Sequence, residues 1–306
     1  MTLAIETSAL TKRYGSTTAL DGMDLAVPEG SIVGMIGPNG AGKTTTMRLL
    51  LDLIRPTSGT ARVLGEDPRS GGPTLRRRIG FLPGELRLEG RVTGRAMLRH
   101  FERISGPVAP GRIDELADRF GLDLTRHVRK LSKGNKQKLG LVQAFMHSPP
   151  LLVLDEPTSG LDPLVQQEFL AMLREVRANG QTVFLSSHVL SEIEQVADTV
   201  AILRAGRIVT VSDVESLRLT AVRRVRLGVR GMDAAQLVTA LAAVPHVSGI
   251  RVDAATGRAH LTVDGDIDPL IKAISHYEVT DLIAEEPDLE ESVLGLYGTQ
   301  EASHVD

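Results

Sequence analysis

Residues 37–45 read Gly37-Pro38-Asn39-Gly40-Ala41-Gly42-Lys43-Thr44-Thr45, directly after the apolar run Ile32, Val33, Met35, Ile36 and at the start of a helical segment. Strand, glycine-rich turn and helix in that order are the setting of a loop that cradles phosphate. Gly37 and Gly42 let the backbone wrap so that successive N–H groups point inward, with Pro38, Asn39, Gly40 and Ala41 between them. Lys43 is then placed to reach β- and γ-phosphates, and the Thr44 hydroxyl, followed by Thr45, is placed for Mg²⁺. A helix opening near Lys43 adds the positive end of its dipole. The chain is therefore expected to bind a nucleotide.

The rest of the sequence bounds what that loop sits in. Short apolar runs alternate with helical periodicity through the first two-thirds, which predicts an α/β fold with a sheet covered by helices. Buried strands are expected at 32–36, 151–154, 182–186 and 200–203, and Arg204-Ala205-Gly206 reads as a hairpin turn. Residues 151–154, Leu-Leu-Val-Leu, are apolar throughout, as in a strand covered on both faces. A polar, Arg-rich stretch from about 86 to 131 is helix-biased and broken by Gly106-Pro107 and Pro110-Gly111, which predicts a helical subdomain over about 86–150.

With 306 residues there is room for one large core and a small second domain. Residues 222–306 hold 7 Lys and Arg against 14 Asp and Glu, whereas residues 1–221 hold 28 against 24. That asymmetry predicts a boundary near 220, with domains at 1–220 and 221–306. Beyond it, strand alternation and helical runs follow in the order β-α-β-β-α-β, the split arrangement of ferredoxin-like α+β domains. A closing helix is expected over 288–297. Neither part is basic enough to favour nucleic acid, and Arg76-Arg77-Arg78 has no interleaved aromatics, so it reads as a solvated face. The absence of cysteine excludes disulfides and thiolate metal sites. No signal peptide is read at the N-terminus, and the apolar stretch 139–154 is cut by Gln143, His147, Pro149 and Pro150, so no transmembrane segment is expected.

Asp155 and Glu156 follow the 151–154 strand and so fall at its carboxyl end, where open α/β sheets bind ligands. Asp155 would hold Mg²⁺ together with Thr44, leaving Glu156 to orient and deprotonate a water aimed at the γ-phosphate. His188, after Phe184-Leu185-Ser186-Ser187, could donate to the γ-phosphate or hold Glu156 in place. Ser132 and Gly134, in Leu131-Ser132-Lys133-Gly134-Asn135, crown a second helix N-terminus and hence a second anion site. One nucleotide does not need two helix N-termini so far apart in sequence, which points to a second chain.

The order of phosphate loop, LSKGN, LLVLDEP, SGLD and SSH resembles the ATPase subunit of ABC transporters over roughly residues 3–215. The resemblance implies a P-loop NTPase of the ABC type using ATP and Mg²⁺, paired head to tail with a second ATPase subunit, a homodimer being expected. It gives Ser132 and Gly134 to the partner's γ-phosphate, Asp162 to the loop linking the two sites, and Tyr14 to stacking on adenine. Lys43, Glu156 and His188 would carry the hydrolysis, coupled to separate membrane permease subunits at the cytoplasmic face. The acidic second domain, with Glu286-Pro287-Asp288-Leu289-Glu290-Glu291 near its end, is similar to the extension of bacterial drug and antibiotic exporter subunits.

One departure stands out. Where the family carries a glutamine after a strand like Ile79-Gly80-Phe81-Leu82-Pro83, this chain has Gly84 and then Glu85. Either Glu85 takes over contact with Mg²⁺ and the attacking water, or hydrolysis leans less on that loop. Two other classes share the phosphate loop: a soluble ABC ATPase of translation or DNA repair, and a GTPase or small-molecule kinase. The first would bring two ATPase units in one chain or a long coiled-coil insertion. For the second, the nearest guanine motif, Asn135-Lys136-Gln137-Lys138, ends in a lysine that cannot accept guanine's donors.

Overall fold

Strands buried at every position need cover on both faces, and three segments have that character: β3 (Ile32–Ile36), β6 (Leu151–Asp155) and β7 (Thr182–Ser187). In the computed structural model, which describes residues 2–86, 88, 90–188, 190–214, 222–253 and 257–285, they form the middle of a six-stranded sheet. Its order is β5-β6-β7-β3-β8-β9, with β5 (Ile79–Leu82), β8 (Thr199–Arg204) and β9 (Arg207–Asp213) toward the edges. The pairs β5·β6, β6·β7, β7·β3 and β3·β8 are parallel. Register sets Ile36 beside Ser187 and Asp155 beside Ser186, so the carboxyl ends of β3, β6 and β7 finish at one level. Chain leaving β3, β6 and β7 must therefore meet at that edge. The turn between β8 and β9 has positive φ at both Ala205 (47°) and Gly206 (79°), the twist a two-residue hairpin favours.

A second, antiparallel sheet adds to the strands that the sequence pattern predicts. It has the order β2-β1-β4, from β1 (Leu3–Tyr14), β2 (Thr17–Pro28) and β4 (Ser58–Val63). Its inner residues, Ile5, Leu10, Leu20, Met23 and Val27, share one core with Met35, Phe184 and Met47. Met47 lies on α1 (Lys43–Leu50), so that helix is packed between the two sheets' apolar residues.

Between β5 and β6 the expected helices are present as α3 (Gly94–Ser105), α4 (Arg112–Arg119) and α5 (Lys133–Phe145), after α2 (Pro68–Arg76) earlier in the chain. Thr93 caps α3 by accepting the Ala96 N–H at 3.2 Å, and Ser132 caps α5 by accepting that of Asn135 at 3.3 Å. Arg119 on α4 donates to both carboxylate oxygens of Glu175 at 2.7 Å and to Glu168 at 2.5 Å, both on α6 (Pro163–Ala178). Those charge-assisted bonds hold the guanidinium protonated and tie α4 to α6. The short α7 (Leu190–Glu194) follows β7.

The chain divides into two compact units, Met1–Ser212 and Asp213–Asp306. In the second, β10 (Val222–Arg230), β11 (Val247–Val252), β12 (Arg258–Asp264) and β13 (Glu278–Glu285) form an antiparallel sheet of order β11-β12-β10-β13. Helices Ala234–Ala242 and Asp268–Ile274 cross between strands, and Leu237, Leu241, Leu270 and Ile274 pack with Val225, Leu227, Leu261 and Val263 in one core. Asp233 and Gln236 form a reciprocal capping box on the first of these helices. The expected helix over 288–297 and the Glu286 to Glu291 run lie outside the described residues. No helix among the described residues is long and apolar enough to cross a membrane.

Candidate active site

The loop 37–42 leaves β3 and enters α1 under tight confinement. A Cβ at Gly37 would fall 2.3 Å from the Leu203 carbonyl oxygen, and one at Gly42 2.7 Å from that of Ala19, at φ +116°. Only glycine fits at either position. The Gly206 N–H donates to the Ala41 carbonyl at 2.9 Å, and the Ala41 N–H to that of Pro38 at 3.1 Å, which fixes the curl. Gly42 is the N-cap of α1 and offers no side-chain acceptor, so the first-turn amides remain for an anion. A cleft of about 260 Å³ lies over them, lined by Pro38, Asn39, Gly40, Ala41 and Gly42, by Lys43, Thr44 and Thr45, and from across the sheet by Glu156.

Lys43 is only 6% exposed. Its Nζ donates to the Gly37 carbonyl at 2.5 Å and stands 3.5 Å from Glu156 Oε1. The other Glu156 oxygen, Oε2, is 2.6 Å from His188 Nδ1. Three sequence-predicted residues thus join in one string across the carboxyl ends of β3, β6 and β7. Glu156 holds a left-handed backbone, φ 49°, which is strained for a side chain of its kind. Its N–H is secured by the Ser186 hydroxyl at 3.1 Å and the Ser186 carbonyl at 3.2 Å.

Asp155 sits behind that string, 2% exposed, with Oδ1 accepting from the Ser186 hydroxyl at 2.6 Å. No ion pair of Asp155 occurs among the described residues, although a buried carboxylate is costly without a counter-charge. A magnesium ion held by one carboxylate, one hydroxyl and phosphate oxygens suits that donor set, so Asp155 with Thr44 fits the metal. Gly84 lies against it: a Cβ there would be 2.9 Å from Asp155 Oδ2. Glu85, next in sequence, is exposed and does not line the cleft.

Tyr14 is 48% exposed, with Lys12 Nζ 4.9 Å from its ring centroid. It pairs with Thr17 at the end of the β1·β2 hairpin, whose Ala19 presses on Gly42, so it lies beside the loop without lining the cleft. Ser132 and Gly134 do not line the cleft of their own chain either. They open α5, and a Cβ on Gly134 would be 2.6 Å from the Gly160 carbonyl oxygen. Asp162 caps α6 by accepting the Val165 N–H at 3.1 Å; that bond first, and Lys138 3.7 Å away, hold its carboxyl below the usual range.

Sequence reasoning gave no role to Ser186 or Gln137, and the structure gives both a position. Gln137, buried on α5, donates to the Glu156 and Pro157 carbonyls at 3.2 and 3.0 Å, tying the LSKGN helix to the acidic turn. A polar residue on the buried side of a helix was the available signal. Likewise, Ser186 and Ser187 are polar residues closing an otherwise apolar strand. Glu192 on α7 accepts from Thr158 at 2.6 Å and Ser187 at 3.3 Å, which closes the same turn from the other side.

The sequence pattern of the ABC transporter family matches residues 20–159. A bacitracin transport ATP-binding protein of Enterococcus faecalis is 39% identical over 222 residues, 71% of each chain. The daunorubicin/doxorubicin resistance ATP-binding protein of Streptomyces peucetius is 40% identical over 74% of this chain and 71% of its own. A daunorubicin resistance ATP-binding protein of Streptomyces coeruleorubidus is 35% identical over 96% of both chains. Among solved structures, an ATP-binding subunit of an ABC transporter superposes with TM-score 0.66 at 32% identity, over 71% of this chain and 92% of that one. A dimeric ATP-binding cassette in a post-hydrolysis state has the same fold, with TM-score 0.62 at 22% identity over 69% and 98%. This chain belongs to the ATP-binding protein family of ABC transporters and is an ATPase subunit of that family.

Proposed function

We propose that this chain powers the export of a drug, antibiotic or other hydrophobic small molecule through separate ABC-type membrane permease subunits, working peripherally at the cytoplasmic face. The relatives with bacitracin, daunorubicin and doxorubicin in their names support the substrate class. One observation carries the chemistry: Lys43, Glu156 and His188 form a continuous string at the mouth of the phosphate loop.

In this reading the α1 amides and Lys43 bind the phosphates, with Pro38, Asn39, Gly40, Ala41 and Thr45 shaping the cradle. Thr44 and Asp155 would hold Mg²⁺, which when bound neutralises charge on the β- and γ-phosphates. Glu156 accepts the proton of the attacking water, and His188 orients that carboxylate from Oε2. Tyr14 offers its exposed ring to adenine. Ser132 and Gly134 act on the nucleotide of a second, identical subunit, with Asp162 joining the two sites. Their place outside their own cleft and the dimeric solved neighbour support this arrangement. Glu85 follows Gly84 in sequence but is exposed and outside the cleft, so either it moves in to replace the missing glutamine toward Mg²⁺ or hydrolysis leans less on that loop.

The second compact unit, Asp213–Asp306, contains a ferredoxin-like accessory domain that begins near 221, after an ATPase domain at 1–220. Its β11-β12-β10-β13 antiparallel order with two crossing helices supports that reading. The test is purification of the chain with its neighbours from native membranes and measurement of ATP turnover with hydrophobic drugs added. Stimulated turnover is expected in the membrane fraction, and Lys43→Ala should abolish nucleotide binding. Co-purification with ribosomes, and no response to any drug, would instead favour a soluble ABC ATPase.

A further inference from the structure

The second unit carries basic side chains where its own charge balance does not call for them. Strand alternation sends Val225 and Leu227 into the core and Arg224 and Arg226 to the opposite face of the sheet, which no helix among the described residues covers. Pairing then builds two rows across that face. In the first, Arg251 of β11 lies opposite His260 of β12, and His260 lies opposite Arg226 of β10. Beyond Arg226 comes Ile283, so no carboxylate stands in that row. The second row is different: Arg224 lies between Thr262 and Glu285, and Glu285 supplies a negative charge.

Arg226 and Arg251 thus flank His260 on neighbouring strands, two cations in one row with no carboxylate to offset them. Neither Arg226 nor Arg251 has an ion pair among the described residues, whereas Arg230 and Arg258 of the same unit pair with Glu278 and Asp281. Arg226 is mostly buried, and its Nε is out of contact with solvent and without a hydrogen-bond partner. A buried guanidinium donor left unmatched costs free energy that an arriving anion would recover. The two rows also line a concavity of about 420 Å³, within the usual size of a small-ligand site. Ser248 lies opposite Thr262 in the second row, and the next residue, Gly249 at φ +62°, lines the concavity without a side chain.

We infer that this face is a binding site for a small organic polyanion, a di- or tricarboxylate or an organic phosphate, with Arg226 and Arg251 as its principal donors and His260 between them. Guanidinium groups match carboxylate and phosphate oxygens in bidentate fashion, which suits either source. The site lies wholly within the second unit and does not depend on the exporter reading.

The test titrates citrate in one arm and pyrophosphate in the other into the full chain carrying Lys43→Ala, which silences the phosphate loop, and follows binding by calorimetry. At least one probe should bind, and Arg226→Gln and Arg251→Gln should each weaken it about tenfold or more, as expected for loss of a charge-assisted bond. The arm that binds tells a carboxylate site from a phosphate site. Both variants relieve repulsion in the row, so in the absence of anion they should unfold at the same or a higher temperature than the parent chain at low salt. With Lys43 intact, ADP affinity should be unchanged. No binding by either probe, or binding that the two substitutions leave intact, would overturn the site, as would a loss of thermal stability in the anion-free variants.

Discussion

Glu156 concentrates the chemistry of the molecule because three constraints converge on it. Its backbone is held at φ 49°, its N–H is claimed by Ser186, and its carboxylate is shared between Lys43 and His188. Such strain persists only where neighbours over-determine it, and it clusters where geometry serves function. Glu156→Gln keeps the shape and the contact to His188 but removes the proton acceptor. ATP affinity should stay within about twofold while turnover falls by roughly two orders of magnitude or more, read by single-turnover hydrolysis beside equilibrium binding. Near-normal turnover would take Glu156 out of the role. Gly84 makes a second case at this scale. The space in which a side chain at 84 would begin is occupied by the Asp155 carboxylate, itself fixed by Ser186. Gly84→Ala should therefore displace Asp155 and raise the Mg²⁺ concentration for half-maximal turnover several-fold, about 1 kcal/mol of misplacement, with Mg²⁺-free ADP binding unchanged. An unaltered Mg²⁺ requirement would show that Asp155 is not near the metal.

At the scale of elements, what could be read from sequence depended on how local the signal was. The parallel strands were legible because burial on both faces leaves runs with no polar residue, as in Leu151 to Leu154. The phosphate loop was legible because its glycines, lysine and threonine are contiguous. The β1–β2–β4 sheet was not, since β1 loses its alternation at register shifts between Thr7 and Leu10 and again near Lys12. Gln137 and Ser186 acquire their places only when α5 and β7 come to rest against the turn after β6, at separations that periodicity does not encode. His147, in the connection from α5 to β6, is another product of packing. Burial pushes its imidazole below the ordinary histidine value, the Ile79 backbone opposes this only in part, and neither ring nitrogen has a partner at hydrogen-bonding geometry. The unfolded chain therefore binds the proton more readily than the folded one. The stabilising preference for neutral His147 is fully present above about pH 6.5 and is lost as pH falls through the lower folded value. Denaturant midpoints measured from neutral pH down to about pH 5 should decline on the acid side, and His147→Gln should flatten part of that decline. An identical acid limb in the variant would remove His147 as a cause.

For the whole molecule, the placement of the two helix N-termini decides how many chains one active site needs. The amides of α1 face the cleft under the phosphate loop, while Ser132 and Gly134 at the start of α5 stay outside it, and Gln137 on the same helix is bound to the turn that holds Glu156. Gln137 ties that turn to α5, so Ser132 cannot swing into its own cleft without breaking two hydrogen bonds, one buried and one partly buried, each worth about 1 kcal/mol. A site assembled from two copies has a consequence that a self-contained site lacks. Lys43→Ala destroys the phosphate side of a chain and leaves its Ser132 side intact; Ser132→Arg does the reverse. Each variant alone should be inactive. In an equal mixture about half of the dimers are mixed, and in each of these one of the two sites pairs an intact Lys43 with an intact Ser132. Turnover should therefore return to about a quarter of the wild-type rate, and it should fall on dilution as dimers separate. Two inactive proteins that remain inactive together, beside a wild-type rate per molecule that dilution leaves unchanged, would mean that one copy closes its own site.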